Sequence, residues 1–132
     1  MEIDNYELWE PIANFPNSPY FFELHHATGE LTVLLKEFDN PDKTLIVKFT
    51  GVIGYRVVNE AGRLRSLENS SLSTFCRSMD SEFLRWIKEE SGGIFDDFEL
   101  IHYVICNSDN IIDVISGPPV IAAWEQLSLN VR

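Results

Sequence analysis

A single stretch of this chain carries the apolar period of an α-helix; the other patterned segments are short enough to be strands. Phe83, Leu84, Trp86 and Ile87 recur at helical spacing. Asp80 or Ser81 can cap the first turn, and Glu82 stands at the positive end of the helix dipole. Gly92-Gly93 stops the run where helices commonly end. The spacing predicts one helix over residues 80–91. At about three turns, it depends on packing of its apolar stripe.

Around that helix the chain reads as strands and tight turns. Residues 20–27 are aromatic and then alternating, Thr28-Gly29 is a two-residue turn signal, and residues 31–38 return as the second strand of a hairpin. Residues 40–43 read as another turn and 44–50 as a strand. Gly51 and Gly54 bracket Val52-Ile53 in the spacing of a bend or bulge before a strand over 55–59, which Ala61-Gly62 closes. Residues 64–73 are polar and Ser-rich, hence loop, and 73–79 form a short strand. Beyond the helix come an acidic loop, an apolar strand over 100–106, a turn over 107–110 and a partner strand over 111–115. Gly117-Pro118-Pro119 reads as a break, and residues 120–127 fit a last strand or a short helix, with Ala122, Ala123 and Glu125-Gln126 tilting toward the helix. Residues 4–18 are irregular, broken by Pro11 and Pro16, with Trp9 and Phe15 available to pin the arm to a core. Strands joined by short turns pair antiparallel. The expected fold is therefore α+β in a single domain, residues 1–132. It is a twisted antiparallel sheet of about six or seven strands with one main helix, residues 80–91.

Charge and cysteine usage narrow the function classes. Twenty-one acidic against 10 basic residues leave a net charge of −11. That excess opposes binding to a phosphate backbone or an anionic membrane surface; it permits steering toward a basic protein, and it equally serves to keep a protein soluble. The two cysteines, Cys76 and Cys106, are too few for a disulfide scaffold. Both sit in apolar runs and read as reduced core thiols, with a single bridge between adjacent strands left open. The first residues are acidic with no basic leader, and no apolar run approaches bilayer length, so the expected compartment is the cytoplasm.

Few residues invite chemistry. His25 and His26 are neighbours in a strand and so face opposite ways. A zinc site from His26, His102 and Cys106 is conceivable, as is a nucleophile pair of Cys76 with His102 or His26. Neither carries a recognisable motif, which favours histidines of core or surface. Asp109 suits a turn, and Asp113, between Ile112 and Val114, is expected to face water. Gly92-Gly93 follows a helix rather than preceding one, the wrong end for a phosphate. Arg56, Arg63, Arg65, Arg77 and Arg85 are scattered and suit pairing with nearby acids. No catalytic, metal or cofactor residue is assigned, and no cofactor is expected. The candidate partner-binding residues are Glu89, Glu90, Phe95, Asp96, Asp97 and Glu99, joined by Phe98. They put acids at a helix C-terminus, which prefers cations, and interleave them with aromatic rings. The competing reading is a solvated loop whose phenylalanines turn inward.

Residues 49–56, 82–93, 101–105 and 112–119 resemble a group of small uncharacterised bacterial proteins, over a span of residues 43–119. Such proteins are similar in size and acidity to immunity proteins, which bind and block a toxin made by the same cell. The resemblance implies binding rather than catalysis and brings no catalytic residues with it. The expected function is a non-catalytic protein-binding module, of the immunity-inhibitor type, that meets a basic toxin by charge complementarity. The alternatives are a small ligand- or metal-binding domain or enzyme using a sheet–helix pocket, and a structural subunit that associates through a strand edge.

Overall fold

The computed structural model describes residues 4–13, 19–37 and 40–126. Among them seven strands form one antiparallel sheet: β1 (Glu7–Leu8), β2 (Pro19–Ala27), β3 (Glu30–Glu37), β4 (Asn40–Asn59), β5 (Phe75–Ser78), β6 (Ile101–Cys106) and β7 (Asn110–Gln126). Their order is β1-β5-β6-β7-β4-β3-β2. A 3-10 turn (Glu60–Gly62) and a short helix α1 (Leu64–Leu67) follow β4, and helix α2 (Glu82–Glu90) follows β5. Strand makes up 55% of the structure and the sheet curls into a half-barrel, so the fold is mainly β rather than the expected α+β. The physical reason is that α2 buries only Leu84 and Ile87 and builds no layer of its own. The sheet instead curls around its concave face.

Curvature comes from β4. Its pairing with β7 slips between Phe49 and Gly51 and again between Val52 and Gly54, the two places the glycine spacing marks for a bulge. Each bulge adds a residue on one strand and sharpens the twist. On the concave side Leu31, Val33 and Leu35 of β3 alternate inward and meet Leu45, Val47 and Phe49 of β4, all fully buried. Trp9 plugs this trough, with its ring centroid 4.7 Å from Tyr103, 5.9 Å from Phe75 and 6.3 Å from Phe49. The arm is therefore pinned by Trp9 as expected; Phe15 lies outside the described residues. The β2–β3 hairpin turns at Thr28 (φ 44°) and Gly29 (φ 76°), both in the left-handed region that a two-residue hairpin turn demands.

Four local expectations are corrected. Residues 40–43 belong to β4, where Asn40 already pairs with Glu37 and Lys43 with Gln126. Within the expected loop over 64–73, Leu64, Arg65, Ser66 and Leu67 close one helical turn; leucine and arginine favour it. Gly117-Pro118-Pro119 does not break the chain. The prolines fall opposite the first β4 bulge, and β6 pairs no further along β7 than Ser116, so the ladder asks for no N–H from them. Residues 120–126 are strand rather than helix. Val120, Ala122 and Trp124 are half-buried against the core while Ile121, Ala123 and Glu125 are exposed. That two-residue alternation, paired to β4, overrides the helical propensity of the alanines. Residue 127 lies outside the described residues.

Candidate functional site

Two features stand out on the convex side of β6 and β7, which Tyr6 of the arm, Leu72 and α2 cover. The first is a buried polar chain. Ser81, His102 and Asp113 are each fully buried. Ser81 Oγ lies 2.6 Å from His102 Nδ1, and His102 Nε2 lies 2.7 Å from Asp113 Oδ1. The second carboxylate oxygen accepts from Arg56 Nε at 2.9 Å and from an Arg63 guanidinium nitrogen at 2.5 Å. Tyr6 and Phe83 meet the His102 ring edge-on, at 5.8 and 5.5 Å. Arg56 also lies 4.4 Å over the Phe83 ring.

This chain corrects the expected outward position of Asp113. Ile112 and Val114 do face away from it, into the concave core, but the opposite face is not solvent. There Ile115 packs with Leu84, Ile87 and Leu100, and Ile111 packs with Cys76, Val104 and Tyr6. Asp113 sits between them and is covered. Burial alone would raise its pKa. Hydrogen bonds from His102 and Arg63, and the charges of His102 and Arg56, outweigh that and hold the carboxyl well below the ordinary carboxylate range.

Serine, histidine and aspartate in line suggest nucleophilic catalysis, and the geometry argues against it. Ser81 is the N-cap of α2, and its Oγ already accepts the Leu84 N–H at 3.2 Å. With no exposed surface, that oxygen cannot reach a substrate carbonyl. Asp113 can only accept, so His102 Nε2 carries a proton, and Ser81 and Nδ1 share the next one. The arrangement satisfies a set of polar groups that the fold has buried, and it ties α2 to the sheet.

Cys76 and Cys106 share one apolar cluster as free thiols, and His26 is not brought to them or to His102. His26 stands on β2 against Tyr55, at 5.2 Å, whereas both ring nitrogens of His102 are occupied. Among the described residues no group of three or more His, Cys, Asp or Glu could hold a metal ion. Cys76 and Cys106 are free thiols, the first buried and the second half-buried. Burial raises the Cys76 thiol. Burial, with Cys76 and Asp113 nearby, pushes Cys106 up to about 12. A thiolate nucleophile is therefore disfavoured at both. Native Cys106 is expected to react with Ellman's reagent at neutral pH at least about tenfold more slowly than an unperturbed thiol. A comparison of native and denatured protein measures this; equal rates would contradict the buried placement.

The second feature is the acid–aromatic face. Glu89 and Glu90 end α2, and Asp96, Asp97 and Glu99 lie in the following loop, all exposed. The two phenylalanines divide. Phe95 turns inward, packing beside Leu84, Ile87, Leu100 and Ile115, while Phe98 stays 61% exposed, its ring 5.9 Å from Phe95. Two residues that the sequence reading did not assign to this surface join it: Ile94 at 70% and Trp86 at 56% exposure. Trp86 stacks on Phe83 at 6.3 Å. Gly92 (φ 61°) and Gly93 (φ 89°) turn the chain out of the helix, as the sequence indicates. A succession of backbone hydrogen bonds then orders the loop: Ile94 N–H to Ser91, Asp96 N–H to Gly93 and Phe98 N–H to Phe95.

Four of the five arginines, Arg56, Arg63, Arg77 and Arg85, pair with acids as expected. Arg77 binds Glu7 at 2.7 Å and Arg85 binds Asp80 at 2.6 Å, beside the two that hold Asp113. Asp109 serves the β6–β7 turn, where its N–H donates to Asn107 Oδ1. No helix among the described residues is long and apolar enough to cross a membrane. Comparison with known proteins returns no relative: no family model matches the chain, and no curated protein or solved structure matches it.

Proposed function

We propose that the chain is a non-catalytic protein-binding module that meets a basic protein with its acid–aromatic face. The observation that carries this reading is the exposure of Trp86, Ile94 and Phe98 among Glu89, Glu90, Asp96, Asp97 and Glu99. Large apolar side chains within a charged rim are the usual make-up of an interface anchor and its surroundings. The hydrogen-bonded turns of residues 91–99 hold these groups in place before binding, which lowers the entropy lost on association. A net charge of −11 speeds encounter with a cationic surface. An immunity-type inhibitor, covering the basic surface of a toxin, is the form of this function that the chain's small size and acidity suit. Cytoplasmic residence belongs to the same proposal.

The test is affinity capture from the native host, with identification of the captured protein and titration of the purified pair. Wild type is expected to bind a basic protein. Reversal of Asp96, Asp97 and Glu99 to Lys is expected to weaken binding at least about a hundredfold, chiefly through association rate. Trp86→Ala with Phe98→Ala is expected to weaken it similarly through dissociation. Unchanged affinity in both variants would remove this face from consideration.

A further inference from the structure

Helix α2 leaves its first N–H groups without partners inside the helix, as every helix does. Ser81 Oγ supplies the local acceptor, for Leu84 N–H. The Glu82 N–H is answered from far away in sequence: Asp4 Oδ1 accepts it at 3.2 Å. The same Asp4 oxygen lies 3.8 Å from Arg85, one turn into the helix. Asp4 is itself held, since its carbonyl accepts from Asn69 Nδ2 at 2.5 Å, and Tyr6 N–H donates to Ser71 Oγ at 3.1 Å. Tyr6 then lays its ring against His102. Beyond the Tyr6 ring, which packs with Cys76, Val104 and Ile111, the arm leaves a gap. A cavity of about 400 Å³ opens there, lined by Asp4, Tyr6 and Glu7 of the arm and by Ser78, Asp80 and Arg85 opposite.

We propose that Asp4 is a latch, a second, non-local cap of α2, that regulates how rigidly the acid–aromatic face is presented. This proposal rests on the reading of that face as the docking surface. Three things argue for it. The contacts of Asp4 are few and polar and sit beside the cavity, so they can part while Tyr6 stays packed against Cys76, Val104 and Ile111. They end on the N-terminus of the helix whose other end carries the face. A carboxylate at that end also opposes the helix dipole favourably. With Asp4 seated, residues 82–99 move as one body with β6. With it withdrawn, α2 keeps Leu84 and Ile87 in the core but loses one of its two first-turn acceptors, and the face loosens.

Amide hydrogen exchange of the full chain tests the latch without any partner. Asp4→Ala is expected to raise exchange across residues 82–99 about fivefold, while amides of β3 and β4 keep wild-type protection. Asp4→Asn, which retains an accepting oxygen, is expected to stay within about twofold of wild type. Unchanged exchange in Asp4→Ala, an equal rise throughout the sheet, or Asn exchanging as fast as Ala would each overturn the proposal. Because no partner enters the measurement, its failure is distinct from failure of the capture experiment.

Discussion

Asp113→Ala is expected to destabilise the protein by about 3–5 kcal/mol, the largest single effect outside the hydrophobic core. The residue has no exposed side-chain surface, and its partners are the source of the cost. Without the carboxylate, Arg63, whose side chain is only 10% exposed, becomes an unpaired cation in a covered site. His102, fully buried, loses the acceptor for its Nε2 proton. Arg56 is 43% exposed and can turn to water, so Arg56→Ala is expected to cost no more than about 1 kcal/mol. Urea denaturation with an unchanged slope would measure both. The same ionisation sets an acid limit. The folded carboxyl titrates below its unfolded value of about 3.9, so its contribution is complete above about pH 4 and is lost as pH falls further. Asp113→Asn should lack that decline. If Asp113→Ala costs under about 1 kcal/mol, the network is not the structural element described.

Trp9→Ala is expected to cost about 3 kcal/mol, the low end of the range for such truncations because the ring is only half-buried. Trp9 enters the trough of the half-barrel, with Ile12 packed on the same core, and touches rings from β4, β5 and β6. No neighbouring strand can collapse into the space, since each already pairs along the sheet. A fall in denaturation midpoint with retained strand signal would report it. A cost under about 1 kcal/mol would show that the arm contributes nothing to closing the core.

The elements were largely legible before any coordinates. The β2–β3 hairpin, the bulges at Gly51 and Gly54, the Ser81-capped helix ended by Gly92-Gly93 and the β6–β7 turn all follow from local signals: alternation, left-handed turn residues, and a capping hydroxyl. The candidate acidic residues stand exposed where they were expected, although Phe95 faces the core. The polar chain was missed, and a signal for it existed. His102 and Asp113 each sit inside a run of apolar strand residues, and a strand that is apolar on both faces must pair any polar group it carries.

What remained beyond local reading depended on contacts distant in the chain. Residues 117–126 became strand because β4 offers them a ladder, and a pairing partner some 70 residues away leaves no mark on local propensity. Asp113 became a buried ion because α2 and the arm cover its face of the sheet, while the segment after β4 supplies Arg63 and the neighbouring strand β6 supplies His102. Periodicity says which side chains share a face. Only the assembled fold says whether that face meets water, and for a charged group that difference reverses the chemistry.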